Sequence, residues 1–196
     1  MRVLTILLAL CVAGLVGYIV MQKSAAPATG HAATTAAPVD PVARGRYLVT
    51  AIGCGDCHSP HDKTGQPIKG LELSGHPHDA PLPEWDPEML KRNVLATFDP
   101  TMTAFAGPFG VSVAPNLTPD LETGLVVSAD GLIESWRSGK HWKFNRPVLP
   151  PMPVQWYRSL TDEDIRAIYS YLVSLPAVKN AAPNSLPAPM PAPTAK

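Results

Sequence analysis

Residues 52–60 read IGCGDCHSP. Cys54 and Cys57 stand three positions apart, and His58 follows at once. Three chemistries use such a pattern. Structural zinc wants four ligands, often as two pairs, and the remaining cysteine, Cys11, lies far off in an apolar stretch. His61 and His76 could be recruited, but at no standard zinc spacing. A thioredoxin-like dithiol expects a βαβ setting, whereas the flanks here read as helix and loop. Haem attachment fits best. Two thiols three apart share one side of a helical turn and can form thioethers with the two vinyl edges of one porphyrin. The next residue is then carried over the ring to reach the iron. Cys54 and Cys57 are thus the expected attachment points and His58 the proximal ligand.

The chain around this motif has 196 residues and no formal net charge. It has no basic run of the kind a nucleic-acid binder carries. Residues 3–21, VLTILLALCVAGLVGYIVM, hold no charge and lie between Arg2 and Lys23. As a helix they would be about 29 Å long, close to a hydrocarbon core. The expectation is a transmembrane anchor over 1–23, with a cleaved signal segment as the alternative. Residues 24–39 are rich in Ala, Thr and Pro and read as a flexible linker. Residues 40–179 form the expected folded domain. Residues 180–196, NAAPNSLPAPMPAPTAK, read as a disordered tail.

Within the domain three helices are expected. PVARGRYLVTAIG, 41–53, starts on a proline suited to a first helical turn and runs toward Cys54. The second, 129–138, has Ser128 as its cap and Gly139 as its stop. The third, 162–175, has Thr161 as its cap and three acidic residues in its first turn. In it Ile165, Ile168, Tyr169, Leu172 and Leu175 form a buried stripe. Between about 59 and 127 the chain is dense in Pro and Gly, with only a short helical turn near 86–93. So long a loop-rich stretch in one domain points to a bulky cofactor as its organiser.

The opposite face of the iron needs a second ligand if the site is to carry electrons; an open face would suit a haem enzyme or a gas-ligand sensor. Met152 lies in NRPVLPPMPVQWY, where Pro150, Pro151 and Pro153 stiffen the loop that presents its thioether. Met102 in DPTMTAFAG is the alternative, and Met190 lies in the tail. His61 is too near the motif to reach the opposite face, and His76, His78 and His141 read as surface residues. Charge is uneven: five cations and no carboxylate lie between Arg137 and Arg158. Such a segment can neutralise haem propionates or steer an acidic partner.

Four stretches resemble the class I c-type cytochromes with a single haem, in particular the cytochrome c partners of membrane-associated bacterial dehydrogenases. They are RGRYLVTAIGCGDCHSPH, LSGHPHDAPLP, TAFAGPFGVSVAPNLTPDLETGL and RPVLPPMPVQWYRSLTDEDIRAIYSYLVSLP. The resemblance implies a mainly α fold, with a few helices around one covalently bound haem c and a long loop insertion. It implies Cys54 and Cys57 as attachments, His58 and Met152 as iron ligands, and electron transfer rather than catalysis. The donor would be a periplasmic or membrane-associated dehydrogenase. The acceptor would be another cytochrome or a terminal oxidase. Together with the anchor, this places the protein at the inner membrane with its haem domain in the periplasm.

Overall fold

The computed structural model describes residues 40–188. Helix α1, Pro41–Ala51, begins where Asp40 accepts a hydrogen bond from the Val42 N–H at 3.0 Å. It stops at Ile52. Gly53 takes a left-handed conformation (φ 71°), which lets the chain turn before a short second helix, α2, Cys54–His58. The single helix expected up to Cys54 is therefore two, with the glycine aiming the cysteine turn independently of α1.

Helix α1 packs on the helix expected near the C-terminus. In chain order the remaining helices are α3, Ala129–Ser138, α4, Val154–Tyr157, and α5, Asp162–Val173. The α1–α5 contact closes at Gly45, where an added Cβ would collide with the Ala167 carbonyl oxygen and sit 2.8 Å from Tyr171 Cβ. The absence of a side chain there lets the two backbones touch. An Arg44–Asp164 ion pair at 2.9 Å borders the contact. Thr161 Oγ1 accepts from the Asp164 N–H at 3.1 Å, which satisfies one of the orphan donors at the start of α5. Of the α5 stripe, Ile165, Ile168 and Leu172 are buried, Ile165 and Ile168 at 0% and 1% exposed, while Tyr169 and Leu175, the latter just past the helix end, are partly buried. The stripe packs with Leu48, Leu132, Trp136 and Tyr157 into one core.

In the loop-rich middle, the short helical turn expected near 86–93 is a 3₁₀ helix, Pro87–Arg92, and a small sheet that periodicity did not reveal lies beside it. Strands β1, Thr97–Phe98, β2, Ala104–Gly107, and β3, Gly110–Val113, form an antiparallel sheet with β4, Leu186–Pro187, in the order β1-β2-β3-β4. Strands of two to four residues are too short to show an alternation. The buried Asp99 carboxylate holds the β1–β2 turn by accepting from the N–H groups of Thr101, Thr103 and Ala104 at 2.7–2.9 Å.

Residues 180–188 do not behave as the expected tail. Asn180 is buried; its side-chain amide donates to the Ser74 and His76 carbonyls at 2.7 and 2.9 Å, and its oxygen accepts from the His78 N–H at 3.1 Å. Ser185 Oγ accepts from the Val113 N–H at 2.9 Å, and β4 then extends the sheet. A polar segment without a hydrophobic pattern is thus held by hydrogen bonds, which composition does not encode.

The inner-membrane placement is corrected. Among the described residues no helix is long and apolar enough to cross a membrane. The longest, α5, has 12 residues, about 18 Å, well short of a hydrocarbon core of about 30 Å. The expected anchor over 1–23 and linker over 24–39 lie outside the described residues, as does the tail from 189 onward.

Candidate functional site

The domain holds a cavity of about 310 Å³, within the range of small-molecule and cofactor pockets. Its walls are mainly aliphatic and aromatic, including Leu117, Leu132, Trp136, Val148, Ile168 and Leu172. Cys54, Cys57 and His58 enter it from α2, and Met152 enters from the proline-flanked loop before α4. The four residues singled out from the sequence therefore share one chamber.

His58 is 6% exposed, and its Nδ1 lies 3.0 Å from the Pro115 carbonyl oxygen. A carbonyl only accepts, so Nδ1 carries the hydrogen and Nε2 keeps its lone pair. Burial lowers the His58 pKa against the opposing effect of that hydrogen bond, so the imidazole is neutral. A neutral ring oriented through its second nitrogen is the form in which histidine binds a metal. Cys54 and Cys57 are both free thiols. Burial, reinforced by nearby Asp56, pushes the Cys54 thiol up to about 12 and the Cys57 thiol upward too. These are not the low-pKa thiolates of a redox dithiol. Among the described residues no group of three or more His, Cys, Asp or Glu is placed to hold a metal ion, so the zinc arrangement finds no ligand set here.

The other candidates divide. Met102 sits at a left-handed turn position (φ 60°) between Asp99 and Ala104 and does not line the cavity. Met190 lies outside the described residues. His61 is buried near Thr101, and His78 is exposed. His76 and His141, read as surface residues, are both buried. His76 is fully enclosed, with Nε2 3.2 Å from the Ala80 carbonyl oxygen and Nδ1 2.9 Å from Thr103 Oγ1. His141 lines the cavity. Tertiary folding buries them, and nothing in their local sequence signals it. The sheet supplies a wall that no sequence pattern announced, through the cross-strand pair Phe105 and Ser112.

The segment of uneven charge also resolves. Arg137 is used structurally, donating to the Arg158 and Leu160 carbonyls at 2.7 Å and to Asp162 at 2.6 Å. Arg158 donates to the Trp136 carbonyl. Lys140 and Lys143 are exposed, and Arg146 is partly buried against the cavity.

No family model matches the chain. Over 133 residues it is 31% identical to the gluconate 2-dehydrogenase cytochrome c subunit of Pantoea cypripedii, covering 67% of this chain and 22% of that protein. Over 138 residues it is 29% identical to a Cereibacter sphaeroides protein named "Diheme cytochrome c-type", covering 69% of this chain and 36% of that one. The relatives support a cytochrome c-type family. A shorter match, 33% over 76 residues, links 39% of the chain to 6% of a nicotinate dehydrogenase component of Pseudomonas putida. The chain thus spans little more than a third of the length of these relatives, or less.

Proposed function

We propose that the chain is a monohaem c-type cytochrome that transfers electrons and performs no catalysis of its own. The observation that carries this reading is the apolar cavity lined by Cys54, Cys57, His58 and Met152. The chain has one C-x-x-C-H motif, which supports one haem. When bound, the haem supplies a one-electron Fe(II)/Fe(III) couple. Cys54 and Cys57 would be the residues that attach it, and His58, neutral and held through Nδ1, and Met152 would be the side chains that hold its iron, through Nε2 and the thioether sulfur. The soft sulfur and the dry walls favour Fe(II) and raise the potential. The class I cytochrome c fold is proposed on the same ground, with helices α1, α3 and α5 supporting the cavity.

The relatives' names favour a dehydrogenase as electron donor. The acceptor is then a further cytochrome or a terminal oxidase. The test is a pyridine haemochrome assay on the purified holoprotein, followed by exposure of the reduced form to carbon monoxide. One covalent haem per chain with no rapid CO binding is the expected result. An absent haemochrome refutes the cytochrome reading, and rapid CO binding replaces the carrier with a haem enzyme or gas-ligand sensor.

A further inference from the structure

An apolar cavity that takes a haem must also meet the two propionate carboxylates of that molecule. The loop between α3 and α4 brings unpartnered donors to the cavity wall. Among the described residues the Arg146 guanidinium makes no ion pair, and its one hydrogen bond goes to the adjacent Pro147 carbonyl at 3.2 Å. A partly buried guanidinium keeps its charge, and a charge removed from water without a counter-ion is costly. The counter-ion is therefore expected from whatever fills the cavity.

His141 sharpens the assignment. The Lys143 backbone N–H donates to His141 Nδ1 at 3.1 Å. Nδ1 is thus the acceptor, and the ring hydrogen sits on Nε2. That tautomer cannot give a lone pair to iron from Nε2, so His141 does not compete with Met152 although both line the cavity. Instead Nε2–H is a donor with no protein acceptor among the described residues. It is also not sealed from open space, since no buried side-chain polar atom there lacks a partner. The ring is fixed by stacking on Trp142 at 4.3 Å, and Arg146 and Lys143 both lie over the neighbouring Phe144 ring.

We propose that the 141–146 loop is an anion subsite of the cavity, in which Arg146 and the His141 Nε2–H together receive one haem propionate. The inference rests on the haem reading above. Held there, the carboxylate stays ionised, because a cation and a donor both favour its charged form. With Cys54 and Cys57 as thioethers and His58 on the iron, the remaining titratable groups that line the cavity are Asp56 and Tyr157. Both are present in wild type and in every variant of the test.

The test is the midpoint potential of the holoprotein measured from about pH 5 to pH 9, with covalent haem content measured in parallel. In Arg146→Gln the propionate loses its cation and its pKa rises into this window. Its ionisation with rising pH then places negative charge near the iron, favours Fe(III), and lowers the potential. The expected result is a downward step in Arg146→Gln that is absent from wild type, absent from Lys140→Gln, which makes the same net charge change at an exposed site, and suppressed in Arg146→Lys. His141→Phe should show a smaller step of the same sign, and it carries the test should Arg146→Gln not retain haem. An Arg146→Gln profile parallel to wild type, or a step of equal size in Lys140→Gln, overturns the subsite while leaving the haem reading intact. Wild-type protein without covalent haem overturns both.

Discussion

At the residue scale the site depends on how each side chain's second contact fixes its first. The Pro115 carbonyl leaves His58 Nε2 with its lone pair, and the Lys143 N–H leaves His141 Nε2 with its hydrogen. The same residue type thus takes opposite roles in one cavity, decided by which nitrogen the backbone engages. Removal of Met152, the proposed distal ligand, is the direct residue-scale prediction. Met152→Ala should lower the potential and allow the reduced form to bind CO, while Met152→His should lower the potential but keep the iron closed; optical titration under controlled potential reads both. A second prediction concerns acid. Burial, with Arg146 and Lys143 adding repulsion, lowers the His141 pKa from 6.5 to about 4. In the haem-free chain, where no propionate faces His141, the unfolded state therefore binds the extra proton between those values, and stability falls as pH drops from about 6.5 to about 4. Urea midpoints across that range should fall less steeply in His141→Phe than in wild type; parallel slopes would remove His141 as a source of the effect.

At the element scale two contacts set where the helices lie. Gly45 lets α1 and α5 approach backbone to backbone, and Gly45→Ala forces them apart. An overpacking cost of about 3 kcal/mol is expected, read as a lowered denaturant midpoint. The cap of α5 is independent of that contact, and Thr161→Ala should cost about 1 kcal/mol with the haem spectrum unchanged. The helices were legible in the sequence because caps and apolar stripes are local: α3 and α5 start where Ser128 and Thr161 indicated. The break at Gly53 was not legible, since a glycine at a helix end reads equally as a stop or as a turn between two helices. The short strands were hidden for a different reason. Ala104–Gly107 and Gly110–Val113 hold two glycines, two alanines and a serine, and only their pairing makes them strands.

At the scale of the whole molecule, the segment around Asn180 ties the C-terminal side of the domain to the loop around His76. Its side chain makes three hydrogen bonds to backbone groups more than 100 positions away in sequence. Asn180→Ala strands those buried groups, and a loss on the order of 3 kcal/mol is expected. Thermal melts of Asn180→Ala beside Asn180→Asp, which keeps an acceptor for the His78 N–H, separate the amide's donors from its acceptor. A melting temperature equal to wild type in both would show that the segment adds nothing to the fold.

By itself, the sequence pointed to the attachment chemistry proposed above and determined the helical frame. A C-x-x-C-H spacing, a proline-bound methionine and two capped amphipathic helices are local patterns, and local patterns are written in consecutive residues. Only the tertiary structure decided what surrounds them: that Met152 and not Met102 reaches the chamber of His58, that His141 is buried and turned to donate, that Arg146 stands at the cavity wall with no ion pair among the described residues, and that residues 180–188 belong to the fold. The chamber and the 180–188 contacts join segments far apart in the chain. Burial and hydrogen-bond partners of that kind arise only when the chain closes on itself.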